Sequence, residues 1–132
     1  MATWLALDTH VPGHARVGVL GVSGWLEERE VPGRANQVLA EIAILRERYQ
    51  KDLAGVAVVA GPGSFSSIRT GVLYANLYAR LQDLPLYCIV SEDWSDSIGL
   101  AGRLASGVFE PQTYIAPVYD QEPNITIPTP RP

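Results

Sequence analysis

The run Ala60-Gly61-Pro62-Gly63-Ser64-Phe65 is the first place where residue types and spacing offer chemistry. Glycines between an apolar run and a helical pattern expose backbone N–H groups, and a helix start adds the positive end of its dipole. The loop therefore reads as a cradle for phosphate. It lacks the Lys-Ser/Thr pair of a P-loop, and glycines there also permit left-handed backbone and close packing with no ligand at all. Asp8 and Thr9 close the apolar run that begins at Thr3. An acid at the end of a buried strand can orient metal and phosphate, or it can cap a turn. Asp8, Thr9, Gly61, Gly63 and Ser64 are thus the candidates for a vestigial nucleotide site, and no cofactor is expected. His10 and His14 stand four apart, but Pro12-Gly13 removes the helix that would place them on one face, and no third metal ligand lies nearby. No Ser-His-Asp or Cys-His arrangement is evident. Arg69 falls in the first turn of the following helical pattern, where a cation opposes the dipole and needs an anion from this chain or a partner.

These residues need elements to position them. Thr3 to Thr9 is short and apolar and predicts a buried strand. Ala15 to Leu20 and Trp25 to Val31, joined across Ser23-Gly24, predict a hairpin that extends an antiparallel meander. Apolar residues recur at helical spacing from Ala35 to Gln50. Val56, Val58 and Val59 mark a strand over Gly55 to Ala60. A second helix is expected from Ser66 to Gln82, a fifth strand from Leu86 to Val90, and a short helix over Glu92 to Ser97. A strand-helix-strand crossover requires parallel pairing, so the sheet is mixed and five-stranded with helices packed on it. The segment from Gly99 onward, which holds six prolines from Pro111 to Pro132, predicts an irregular tail.

Composition narrows the function classes. The 132 residues fit one domain, 47% hydrophobic and 18% charged, with a net charge of -4. Ten basic residues against fourteen acidic ones leave few cations for phosphate, so direct nucleic-acid binding by this chain alone is not expected. The single cysteine, Cys88, sits in an apolar run and reads as a small core residue. No apolar stretch is long enough to span a membrane, and no export signal is read at the start. The expected location is cytoplasmic.

The stretch from Gly61 through Ser66-Ser67-Ile68-Arg69-Thr70-Gly71-Val72 resembles the GPGSFTGLRxGV signature of the TsaB family. Leu5-Ala6-Leu7-Asp8-Thr9 is similar to that family's opening LALDTS strand, and Pro117-Val118-Tyr119 through Thr126 resembles its closing PxYLRxPxxT segment. Ser66-Ser67 replace Thr-Gly, Gln121 stands where Arg is usual, and the helix-opening histidine is missing. The resemblance implies an α/β fold of ribonuclease H-like type, as in actin-like ATPase lobes. It places a single lobe at residues 1–97 and a Pro-rich tail at 98–132 where the family carries a second lobe. It also implies a non-catalytic role. TsaB proteins pair with the catalytic subunit TsaD through two helices, the ATPase TsaE joins that pair, and TsaD transfers threonylcarbamoyl to adenosine in tRNA.

The second helix is apolar nearly all round, more than one sheet face can cover. Ile68, Val72, Ala75 and Ala79 form one stripe, Leu73, Leu77 and Leu81 lie beside it, and Gly71, Ala75 and Ala79 are small enough to admit another helix. The residues expected at a subunit interface are Leu39, Ile42, Arg46 and Tyr49 of the first helix. From the second come Phe65, Ile68, Arg69, Val72, Ala75 and Ala79. The alternative is that the two helices pack only on each other. The chain by itself is expected to form a homodimer through the same surface.

Overall fold

The computed structural model describes residues 2–63 and 65–119, the side chains of residues 65 and 66 excepted. The chain runs β1 (Thr3–Asp8), β2 (His14–Gly21), β3 (Gly24–Pro32), α1 (Ala35–Tyr49), β4 (Leu53–Val59), α2 (Phe65–Gln82), β5 (Leu86–Ile89), a 3-10 turn (Ser91–Ser95) and α3 (Ser97–Ser106). One five-stranded sheet has the order β3-β2-β1-β4-β5. The first three strands are antiparallel neighbours, and β1–β4 and β4–β5 are parallel. This is the mixed sheet that the sequence pattern requires.

Alternation along the strands divides the apolar side chains between two cores. Leu5, Leu7, Val56 and Val58 face α1 and α2, while Trp4, Ala6, Ala57 and Val59 face α3. The central strand β1 is buried at every position, because helices cover both its faces. At the edge, β3 turns alternate residues outward, Glu28 and Glu30 among them. Charges of this kind deter pairing with another sheet.

Two expectations are corrected. The region from Gly99 is not irregular from its start: residues 97–106 form α3. Asp96 caps it, accepting the Gly99 N–H at 3.2 Å, and Gly107 closes it in the left-handed conformation at φ 80. Leu100, Ala101 and Leu104 supply the buried stripe. Second, Cys88 is exposed on β5 rather than buried. The tail segment 120–132, with most of the closing motif, lies outside the described residues.

Candidate functional site

Asp8 ends β1 directly opposite Arg16 of β2. Its side chain is buried, and both oxygens have partners. Oδ1 accepts the His10 backbone N–H at 3.0 Å, an Asx-type turn, and lies 2.6 Å from His10 Nδ1. Oδ2 accepts Arg16 Nε at 3.2 Å and a second hydrogen bond from the same guanidinium. That guanidinium also lies 4.8 Å from the Trp94 ring centroid. A buried carboxylate is thus neutralised by the neighbouring strand, as a charge in that setting requires. Beside it opens a cavity of about 370 Å³ lined by Asp8, His10, Val11, His14, Arg16 and Glu30. His14 Nδ1 lies 3.5 Å from Glu30 across it. Among the described residues, no three His, Cys, Asp or Glu side chains come together as a metal-binding group.

The glycine loop is occupied in a different way. Gly61 has φ +124, and the space a Cβ would take is filled by the Val118 carbonyl oxygen. Val118 N–H donates to the Ala60 carbonyl at 2.7 Å, and Gly63 forms a bridge with Tyr119. The C-terminal stretch therefore packs against this loop, and the glycines serve close packing. Thr9 donates to the Ser67 carbonyl at 2.7 Å and ties the end of β1 to the first turn of α2. Ser64 and the Phe65 side chain lie outside the described residues.

The stretch after α3 is an ordered strap over residues 112–119. Gln112 N–H donates to the Leu86 carbonyl on the edge strand at 2.7 Å. Ile115 is buried in the core, and the Asn76 amide grips its backbone twice. Asn76 Oδ1 accepts the Ile115 N–H at 2.9 Å, and Asn76 Nδ2 donates to the Ile115 carbonyl at 2.9 Å. Sequence reasoning missed this clamp. Its one signal was a polar Asn in the middle of an otherwise apolar helix, where it weakens helix propensity and so needs another use.

The interface candidates divide by exposure. Ile42, Ile68, Val72, Ala75 and Ala79 are buried against the sheet, so the stripe of small residues belongs to the chain's own core. Gly71 does not admit a partner helix either. A Cβ there would run into the Thr9 hydroxyl and lie 2.8 Å from Thr9 Cγ2. Tyr49 is half-buried, and its hydroxyl donates to Glu27 at 3.0 Å; burial and this hydrogen bond raise its pKa. Leu39, Arg46 and Arg69 are exposed. The open face of α2 is the neighbouring stripe, with Leu73 56%, Leu77 49% and Leu81 71% exposed. Four-residue steps set these three on one ridge of the helix. Burial pushes the Tyr78 hydroxyl of α2 above its usual pKa, and the charge of Arg46 pulls it partly back.

Comparison with known proteins bears on both regions. The family model described as "TsaD: tRNA N6-adenosine threonylcarbamoyltransferase" matches residues 28–95, just over half of the chain. YeaZ from Pseudomonas aeruginosa superposes with a TM-score of 0.57 at 23% identity, over 68% of this chain and 44% of that one. The chain thus spans less than half the length of that relative. RuvC from Thermus thermophilus, solved in complex with a Holliday junction substrate, superposes with a TM-score of 0.62 at 12% identity, over 85% of this chain and all of that one. No curated protein matches by sequence. The structural likenesses establish the fold as ribonuclease H-like, and the matched segment runs from β3 through α1, β4, α2 and β5 into the 3-10 turn. By its family model and its motifs the chain belongs to the TsaD family, as a TsaB-like member.

Proposed function

We propose that the chain is a non-catalytic subunit that pairs with the catalytic TsaD protein in making N6-threonylcarbamoyladenosine in tRNA, in the cytoplasm. The observation that carries this reading is the unpartnered leucine ridge of α2, inside the segment that matches the family model. Contiguous exposed leucines on one helix mark an interaction site. The pairing surface is formed by α1 and α2, through the exposed members of the expected set (Leu39, Arg46, Arg69) together with Leu73, Leu77 and Leu81. Ile42, Ile68, Val72, Ala75 and Ala79 support it from beneath. Engagement of Asp8 by Arg16 and filling of the glycine loop by Val118 support the non-catalytic assignment. TsaE joins through the pair, and the chain alone forms a homodimer by the same ridge at high concentration.

Co-purification of the full chain with the TsaD protein of the same source tests this. Wild type co-elutes on gel filtration, and Leu77→Asp elutes apart while keeping its melting temperature. Separate elution of the wild-type proteins at micromolar concentration would overturn the reading. ATP turnover by the isolated chain that disappears in Asp8→Asn would overturn the non-catalytic assignment.

A further inference from the structure

The turn between β1 and β2 gathers both histidines of the chain at one cavity. Spacing alone keeps them apart, because Pro12-Gly13 rules out the helix that would align residues four apart. The turn does the work of that helix. His14 N–H donates to the Val11 carbonyl at 3.1 Å, and Gly13 takes the left-handed conformation at φ 76. The Gly13 carbonyl accepts the Gly33 N–H at 3.1 Å, which pins the turn to the residue after β3. His10 and His14 then both line the cavity of about 370 Å³ beside Asp8.

The partners of the two rings decide what they can hold. Asp8 Oδ2 takes the Arg16 guanidinium, and a carboxylate so paired only accepts, so His10 Nδ1 at 2.6 Å is the donor. The lone pair of the neutral ring is then on Nε2, at the ring edge away from Asp8. His14 repeats the arrangement more loosely, with Nδ1 3.5 Å from Glu30 Oε1. An imidazole backed by a carboxylate at one nitrogen and open at the other is the usual setting of a metal-binding histidine. Two carboxylates and one guanidinium line the cavity, a balance that favours a cation over an anion. Among the described residues no group of three His, Cys, Asp or Glu forms a metal site, so the two imidazoles are the protein's ligands and solvent completes the shell. Hard ions prefer oxygen, whereas imidazole without thiolate suits nickel, copper and zinc.

We propose that this cavity is a two-histidine site for a divalent transition ion of the nickel, copper and zinc class. His10 Nε2 and His14 Nε2 are the ligands, and Asp8 and Glu30 orient the rings from behind. Arg16 is a positioning residue, since it holds the carboxylate that holds His10. The site lies on the β1–β2 turn and is independent of pairing through the leucine ridge.

The test titrates the untagged full chain with Ni²⁺ by calorimetry, with Mg²⁺ as the control. Nuclear magnetic resonance follows the two histidine ring signals as substoichiometric Cu²⁺ is added. Wild type is expected to bind Ni²⁺ far more tightly than Mg²⁺, and Cu²⁺ broadens the His10 and His14 signals together. Removing one ligand in His14→Ala lowers the Ni²⁺ affinity by at least about tenfold. Glu30→Gln lowers it by about tenfold, the low end for loss of an orienting carboxylate, because that contact is 3.5 Å long. Melting followed by tryptophan fluorescence is unchanged in both, since the His14 and Glu30 side chains are exposed. His10 stays unaltered because the buried Asp8 depends on it. Cys88→Ser, which removes the exposed thiol, binds Ni²⁺ as wild type does. Ni²⁺ binding that survives His14→Ala undiminished, or that disappears in Cys88→Ser, overturns the site. Broadening of one histidine alone, or a Ni²⁺ affinity no greater than that for Mg²⁺, does the same.

Discussion

The layer of α3 and the 3-10 turn is fastened to the sheet by specific polar and aromatic links. The Trp25 and Trp94 rings lie 4.5 Å apart, Trp94 Nε1 donates to Glu28 at 2.8 Å, and Trp25 Nε1 donates to the Trp94 carbonyl at 3.2 Å. Arg103 of α3 bonds Asp93 at 2.6 Å within the layer. The layer of α1 and α2 is tied to β3 by ion pairs, Arg29 to Glu41 and Arg48 to Glu27 at 2.6 Å each, but its outer face keeps a row of leucines in water. In the first layer both tryptophans have a partner for their polar atom. The second buries one face fully and leaves another open, the pattern of a helix that has a second binding partner.

The largest expected effect tests whether the α3 layer is integral to the domain. Trp94 is 2% exposed and joins the ring pair, the Glu28 hydrogen bond and the Arg16 contact. Trp94→Ala should cost about 3–5 kcal/mol of unfolding free energy, the usual loss for a buried aromatic. Urea denaturation measures it. A loss below about 1 kcal/mol would mean that the layer rests on the sheet without being part of its core, and the contrast between the layers would disappear.

The second effect separates the two stripes of α2. Ala75 faces the sheet and is fully buried, whereas Leu77 is half exposed. Ala75→Trp should destabilise by about 1–3 kcal/mol or more through overpacking. Leu77→Ser should change stability by less than about 0.5 kcal/mol, as exposed substitutions do. Partner binding should show the reverse ranking once the folded fraction is accounted for. A normal melting curve for Ala75→Trp would put the small residues back at the surface.

Helix and strand positions along the chain were legible in the sequence because each rests on a local period. The alternation of Val17 and Val19, the helical recurrence around Leu39 and Ile42, and the turn at Ser23-Gly24 each mark an element that is present. The facing of α2 was not legible. A helix with Ile68, Val72 and Ala75 on one line and Leu73, Leu77 and Leu81 on the next has two apolar stripes, and only tertiary packing chooses between them. The close approach of α2 to β1 decided for the small side, where Gly71 leaves room for Thr9. Arg16 was overlooked because its partner Asp8 is eight residues away and meets it only through strand register. The α3 signal was there in Asp96, Leu100, Leu104 and Gly107, but the prolines downstream drew the whole region into one expected tail.

The contact of Thr9 with Gly71 gives a third, smaller effect. Gly71→Ala forces either Thr9 or the helix to move and should cost about 1–3 kcal/mol, as overpacking does. Thr9→Ala removes the hydroxyl and methyl that collide, at the loss of its hydrogen bond to Ser67. The double variant should be more stable than the sum of the two single losses predicts, because one side chain makes room for the other. Simple additivity in chemical denaturation would show that the helix already yields at Gly71, and that the buried side of α2 is looser than its packing implies.

The smallest effect lies on β5, where the two layers can be compared within one strand. Tyr87 and Ile89 turn toward α3, and Ile89 is 1% exposed. Leu86 and Cys88 turn toward the α2 side, and Cys88 remains exposed. Its thiol is nevertheless raised above its ordinary pKa, mainly by desolvation and partly offset by a backbone hydrogen bond at Ala60. A thiol raised in the folded state favours the protonated form there. As pH rises through the ordinary cysteine range, the unfolded chain loses its proton first, so this group subtracts stability at high pH and adds no pH dependence at neutrality. Alkylation, which needs the thiolate, should therefore be slower in the folded chain than in urea at pH 8 despite the exposure, and the difference should narrow as pH rises further. Cys88→Ser should change stability by less than about 0.5 kcal/mol. Equal alkylation rates folded and unfolded would show that water reaches the sulfur freely, and that the α2 layer leaves this end of the sheet more open than the α3 layer by a wider margin than the burial of Leu86 indicates.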